Sequence, residues 1–234
     1  MKLLEKCLGI LYPQTCCFCG QISKTAICRE CQGKITYIKE PRCKCCGKPL
    51  SVEEEKFCYD CKHYEHFFDQ GKSLWLHEGI VRKSIYQFKY HNKRVFGQTY
   101  GKELYRIYAE QMSSWEIDVI IPVPLHKKRR RKRGYNQSEI IADVLGKLSH
   151  IKKKKKTVIR THNTKKQKEL NHSQRKENLR HAFAIKKEWK TPRNVLIVDD
   201  IYTTGNTIDA MAKLLKEKGV QKVFFLTISI GQGF

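Results

Sequence analysis

The sequence predicts an α/β fold, a mostly parallel sheet with helices on both faces, preceded by a small cysteine-rich module. Two observations carry this expectation. From residue 117 to residue 230 short apolar runs alternate with amphipathic helical patterns, and such alternation builds parallel strands joined by crossover helices. Ahead of that region, every cysteine but Cys7 lies between Cys16 and Cys61, in closely spaced groups. A chain of 234 residues is long enough for one medium domain and an appendage. The expected division is residues 1–66 for the N-terminal segment and cysteine module, and 67–234 for the α/β domain.

The formal net charge is +24, with a pI near 9.7. A field of that sign recruits polyanions, so nucleic acid or a highly phosphorylated small molecule are the expected partners. The opening stretch MKLLEKCLGILYP is broken by Glu5 and Lys6 and stops at Pro13, which does not read as a secretory signal. No segment approaches the roughly 18 unbroken apolar residues of a membrane span. We expect no membrane insertion and a cytoplasmic setting, where thiols stay reduced and bind metal rather than form disulfides.

Residues 13–61 contain an internal repeat. Pro13 precedes Cys16-x-x-Cys19-Gly20, and Pro41 precedes Cys43-x-x-Cys46-Gly47; second pairs follow at Cys28/Cys31 and Cys58/Cys61. A Cys-x-x-Cys turn offers two thiolates to one tetrahedral ion, and the glycine lets the chain turn so that amides approach the sulfurs. Four such pairs point to two structural zinc sites, each with four cysteine ligands. Sequential pairing is preferred, with Cys16/Cys19 joined to Cys28/Cys31 and Cys43/Cys46 to Cys58/Cys61. A cross-brace joining the first pairs of the two units is the alternative. Cys7, Cys17 and Cys45 are spare, and His63 and His66 are expected to face solvent.

A strand is expected between Phe67 and Leu76. Ile80, Ser84, Ile85 and Phe88, then Phe96, Tyr100, Leu104, Tyr105 and Tyr108, recur at helical spacing on either side of Asn92. Lys89 and Lys93 sit at this join, and no feature of the sequence fixes whether they face a ligand. Ile117–Val123 reads as a buried strand that cannot run past Pro124. Seven of the eight residues from His126 to Arg133 are Lys or Arg, and we expect a basic loop there. Ligands of open α/β sheets bind beyond the carboxyl ends of strands, so this loop can neutralise an anion. An amphipathic helix follows from Ser138 to Leu148. Lys152–Lys156 is expected to be an exposed, self-repelling loop, Val158 and Ile159 a short strand, and the polar stretch beyond it irregular.

The stretch from Asn194 to Thr207 reads NVLIVDDIYTTGNT. Val195–Val198 forms a buried strand, Asp199 and Asp200 end it, and a Thr/Gly-rich turn opens a helix that stops near Gly219; Val223–Ile230 is the last strand. A glycine turn ahead of a helix leaves amides pointing at the helix N-terminus, which favours a phosphate. Thr203, Thr204 and Thr207 add hydroxyl donors. The two carboxylates cannot face a bare phosphate, so they are suited to sugar hydroxyls or to a hydrated Mg²⁺.

These residues resemble the phosphoribosyl pyrophosphate (PRPP) loop of type I phosphoribosyltransferases. Pro122-x-Pro124-Leu125-His126, the basic run and Arg133-Gly134-Tyr135-Asn136-Gln137 resemble the ComF family of competence-associated proteins, which carry a double zinc ribbon ahead of a transferase domain. The resemblance implies a type I phosphoribosyltransferase fold with PRPP as ligand. It places Asp199 and Asp200 on the ribose with Mg²⁺, and Thr203, Thr204, Gly205, Asn206 and Thr207 on the 5′-phosphate. His126, Arg133, Asn136 and Gln137 would face pyrophosphate, Arg133 also stabilising it catalytically, and Gln167, Leu170, Arg175 and Asn178 would belong to a hood over the site. It also implies phosphoribosyl transfer linked to DNA uptake, with single-stranded DNA and competence-machinery proteins as possible partners. The rival is a non-catalytic DNA-binding protein that uses PRPP as a regulator or not at all. Purine-salvage relatives place an Asp where this chain has Thr203, and a threonine is no base at neutral pH, so the acceptor stays open.

Overall fold

The computed structural model describes residues 14–161, 182–186 and 189–231. Its strands are β1 (Gln70–Leu76), β2 (Val119–Pro122), β3 (Lys152–Lys153), β4 (Val158–Arg160), β5 (Phe183–Ile185), β6 (Asn194–Tyr202) and β7 (Lys222–Ile230). Its helices are α1 (Arg29–Lys34), α2 (Tyr59–His63), α3 (Gly79–Tyr90), α4 (Val95–Ser114), α5 (Lys127–Arg133), α6 (Gln137–Ser149) and α7 (Asn206–Glu217). The main sheet has the order β1-β7-β6-β2-β3 and is parallel throughout. An antiparallel pair, β4 and β5, stands apart from it.

The central strand β6 shows why the sheet is covered on both faces. Alternate residues point to opposite sides of a strand. Leu196 and Val198 enter a core shared with Phe88 of α3, Tyr100 and Leu104 of α4 and Ile141 of α6. Val195 and Ile197 enter a second core with Ile208, Met211 and Leu215 of α7. Each such buried aliphatic side chain contributes about 1.5–3 kcal/mol relative to exposure. On the first face α4 and α6 approach closely: a Cβ at Gly101 would lie 2.5 Å from Val144 Cβ, and one at Gly97 2.6 Å from Ile140 Cγ2.

The cysteine module is docked into both cores. Cys16, Cys17, Phe18, Ile27, Cys31 and Ile35 pack with Trp75, Ile85 and Tyr100, Phe18 meeting the Trp75 ring edge-on at 5.4 Å. Cys43, Cys46 and Cys58 pack with Phe68 and Tyr202. Backbone bonds bind the two parts, Ile38 N–H donating to Leu74 O (3.1 Å) and Gly71 N–H to Cys45 O (2.8 Å).

Four expectations need correction. The basic run is a helix, α5, because His126 caps it (Lys128 N–H to Nδ1, 3.3 Å) and Gly134 closes it at φ 75°. Strand β6 does not end at Val198: it runs through both acids to Tyr202, since β7 continues beside it to Ile230. Lys152 and Lys153 are the edge strand β3, paired with Val119 and Ile120, and Lys153 and Lys155 both meet Asp143, so local counter-charge overrides the repulsion. His66 does not face solvent; its side chain is 6% exposed and bonds Asp209 at 2.7 Å. Among the described residues, no helix is long and apolar enough to cross a membrane.

Candidate functional site

The carboxyl ends of β2 and β6 lie side by side in register, Pro122 opposite Val198, so whatever follows each strand meets at one rim of the sheet. From β6 come the acids. Asp199 Oδ1 accepts from Ser138 Oγ (2.8 Å) at the start of α6 and from Asp200 N–H (2.8 Å). Asp200 continues the face of Leu196 and Val198 and meets Lys89 of α3, Nζ to Oδ1 at 2.8 Å. Withdrawal from water, and then the Asp200 charge beside it, push the Asp199 carboxyl up to about 7, against the pull of Lys89 and its two hydrogen bonds.

Beyond Tyr202 the loop turns through Gly205, which sits at φ 77° as the cap of α7. The first intrahelical bond there is Asp209 N–H to Gly205 O at 2.8 Å, so the amides ahead of Asp209 lie at the positive end of the helix. Thr203 is exposed and Thr207 half-buried. Thr204 Oγ1 and Asn206 Nδ2 are buried without a hydrogen-bond partner among the described residues. A native fold rarely leaves such atoms unpaired, because each costs about 1–3 kcal/mol. A Cβ at Gly205 would fall 2.5 Å from Tyr202 Oη, and that ring is stacked on Phe225 at 4.8 Å. Gly205→Ala is therefore expected to lower the unfolding free energy by about 1–2 kcal/mol, read by chemical denaturation, with the loop displaced.

From β2 comes α5, seven consecutive basic residues. Arg133 donates to Gln137 Oε1 (3.0 Å) and to Tyr90 Oη (3.3 Å), its guanidinium over the Tyr90 ring. Burial and then Arg133 depress Arg129, while burial and then Arg129 bring Arg160 down to about 10, against the attraction of Asp199. Arg129 is thus within electrostatic reach of both Arg133 and Arg160, and Arg160 of Asp199, so the three guanidiniums form a cation cluster that reaches the acids through Arg160. Asn136 and Gln137 have another role: they are 2% and 1% exposed. Asn136 caps α6 and donates to Val123 O (2.9 Å), and Gln137 holds Arg133, so both position the segment. His126 is held by its capping role, its pKa lowered by burial and by Lys128.

The structure thus brings together Asp199, Asp200, the Thr203–Thr207 loop and the Arg133 segment. Gln167, Leu170, Arg175 and Asn178 lie outside the described residues. Ser138, Lys89 and Arg160 are additions. Lys89 carried a sequence signal without a direction. Arg160 carried none, since its position depends on the pairing of β4 with β5.

Two cysteine clusters complete the picture. The sulfurs of Cys16, Cys19, Cys28 and Cys31 lie within 4.8 Å of one another, as do those of Cys43, Cys46, Cys58 and Cys61. Cys19 and Cys28 are 3.8 Å apart and Cys46 and Cys58 3.6 Å, against about 3.8 Å for a ZnS₄ tetrahedron with 2.3 Å bonds. The pairing is sequential, and the cross-brace is excluded. The two halves repeat closely: Gly20 N–H bonds Cys16 O and Gly47 N–H bonds Cys43 O, both at 2.9 Å, and Cys28 and Cys58 occupy the N-cap positions of α1 and α2, Cys28 alone accepting a capping bond, from Cys31 N–H. Burial raises the Cys16 thiol, but amides of Cys28, Cys19 and Phe18 outweigh it and bring it to about 7; in the same site burial and the neighbouring cysteines raise Cys31, so full deprotonation of the set goes with metal binding.

Comparison with known proteins agrees with both halves. The double zinc ribbon domain family matches residues 7–62, and the phosphoribosyl transferase domain family matches residues 102–229. The chain is 30% identical to competence protein F of Haemophilus influenzae, over 86% of this chain and 89% of that one. It is 27% identical to competence protein ComFC of Bacillus subtilis (82% and 79%). It is 26% identical to the DNA utilization protein YhgH of Escherichia coli K12 (90% and 94%).

Proposed function

The chain belongs to the competence protein F (ComF) family, in which a double zinc ribbon precedes a phosphoribosyltransferase domain, and on that premise we propose that it binds PRPP and transfers its phosphoribosyl group. The C1–oxygen bond breaks, pyrophosphate leaves with the electron pair, and an acceptor lone pair forms the new bond at C1. The observation that carries the reading is the pair of unpartnered buried atoms, Thr204 Oγ1 and Asn206 Nδ2, at the mouth of α7. A 5′-phosphate there satisfies both and meets the helix dipole. Asp199 and Asp200 accept the ribose hydroxyls. The Arg129, Arg133 and Arg160 cluster receives pyrophosphate, relieving its own crowding and stabilising the charge that develops on the leaving group.

The two carboxylates and the Ser138 hydroxyl are the oxygen donors that Mg²⁺ prefers. When bound, the ion would supply charge neutralisation to the pyrophosphate. Thr203 offers no base, so the acceptor is a nucleophile that does not rely on a carboxylate at that position. The names of the relatives, competence protein and DNA utilization protein, support a role linked to competence.

A second reading has its own observation. Tyr86 and Tyr90 are exposed, their ring centroids 4.8 Å apart and their planes tilted by 48°, and Tyr90 lies against the Arg133 guanidinium, a combination suited to single-stranded DNA, whose bases stack on aromatic rings. In that reading the protein is a non-catalytic DNA binder that works with other competence proteins. Calorimetric titration of the intact, zinc-loaded chain with PRPP and Mg²⁺ separates the two. Binding is expected, with pyrophosphate released on addition of an acceptor; no heat with PRPP, together with retained binding of single-stranded DNA, overturns the transferase reading.

A further inference from the structure

Lys89 is placed where the two halves of the ligand would meet. Its ammonium sits 2.8 Å from Asp200 Oδ1, with both side chains largely buried, at 17% and 11% exposure. It lies in the last turn of α3, and that turn is latched to the basic segment. Phe88 O accepts from Tyr135 Oη and from Gln137 Nε2 (3.4 Å), and Tyr90 Oη accepts from Arg133 (3.3 Å). One residue therefore touches the acid pair while its neighbours on either side hold the cation cluster.

This position creates a selection problem for the ligand. A neutral diol that takes over Asp200 must expel the ammonium, and an ammonium stripped of its partner in a largely buried place is strongly disfavoured. A ligand that brings an anion within reach of the same side chain leaves neither charge alone. We infer that Lys89 is a specificity-determining residue of this site, which releases Asp200 to the sugar hydroxyls only when it is handed to the ligand's pyrophosphate. The inference rests on the PRPP reading. It adds that the diol half and the anion half bind interdependently, so that a ribose phosphate without pyrophosphate is rejected by the residue that welcomes PRPP.

Inorganic pyrophosphate without Mg²⁺ is the probe, so that loss of a carboxylate that would hold the ion does not enter the result, titrated calorimetrically into the zinc-loaded parent, Lys89→Met, Asp200→Asn and the double variant. Lys89→Met is expected to weaken pyrophosphate by about tenfold, the loss of one partly buried ionic contact. Asp200→Asn frees the ammonium and is expected to tighten pyrophosphate by about tenfold in the parent, but by less than roughly threefold when Lys89 is absent. An equal gain in both backgrounds overturns the inference, because Asp200 would then act without Lys89. Lys89→Gln, which keeps a hydrogen bond to Asp200, repeats the cycle should the methionine variant not fold. PRPP binding by the parent is measured alongside. If PRPP binds and the cycle is additive, Lys89 alone is misassigned; if neither PRPP nor pyrophosphate binds, the reading beneath it falls as well.

Discussion

Two zinc ions per chain are expected on metal analysis, and their removal by a strong chelator is expected to abolish the cooperative thermal transition of the whole protein, not only of its first 60 or so residues. A four-cysteine site contributes on the order of 10 kcal/mol to folding, more than the net stability of many entire domains. The module holds little apolar mass of its own, and what it has is committed elsewhere: Phe18, Ile27 and Ile35 pack in the cluster that contains Trp75 and Tyr100. Releasing the first ion therefore opens the core beneath β1 and α4. The second site reaches further. Lys44 O and Cys45 O accept from Gln70 Nε2 (3.1 Å) and Gly71 N–H (2.8 Å). The chain leaving Cys61 then brings His66 and the Phe67 amide onto Asp209, at 2.7 and 2.9 Å, in the first turn of α7. Cys43→Ser is accordingly expected to weaken PRPP binding more than Cys16→Ser does, since it loosens the helix whose mouth would hold the phosphate. Finding one zinc or none per chain, or an undisturbed transition in the metal-free protein, would refute the two-site account.

The parts legible in the sequence are those whose chemistry is local. The zinc sites follow from spacing within each half of an internal repeat, and only the pairing needed three dimensions. The strand, acid pair and phosphate turn share one unbroken stretch, so β6, Gly205 and α7 could be read from it. The helical character of residues 127–133 was hidden because repulsion among seven cations argues for a loop, whereas the deciding factors are one capping histidine and one left-handed glycine. His66 was misread because its partner, Asp209, is 143 residues away. Lys89 and Arg160 show the same limit at the site itself: each is brought to the acids by tertiary packing, and a lysine near a helix end carries no signature of the carboxylate that it will meet. Asn136 and Gln137 illustrate the converse, since a family motif marks their positions but not that their side chains are turned inward to hold the segment.

Replacing both acids, Asp199→Asn with Asp200→Asn, is expected to weaken PRPP by more than about a hundredfold. Two hydrogen bonds from sugar hydroxyls to ionised acceptors contribute about 1.5–3 kcal/mol each, and an amide accepts more weakly while also presenting a donor. The pH dependence identifies which acid matters most. Burial and the neighbouring Asp200 hold the Asp199 carboxyl at about 7 in the free protein, so at neutral pH it is divided between its two forms. The ionised form is the stronger acceptor for ribose hydroxyls and the form that would ligate Mg²⁺, so a ligand that needs it must first displace the proton when the pH is low. Affinity should therefore rise as pH increases through about 7 and level off above, falling by up to about tenfold for each unit below as one proton is released on binding. PRPP has ionisations of its own in the same range, which Asp199→Asn keeps while removing the carboxyl; the difference between the two profiles isolates Asp199. Superimposable profiles would show that Asp199 does not bind the ligand as a carboxylate, whereas a step near pH 7 in the parent alone would tie ligand binding directly to the ionisation of Asp199.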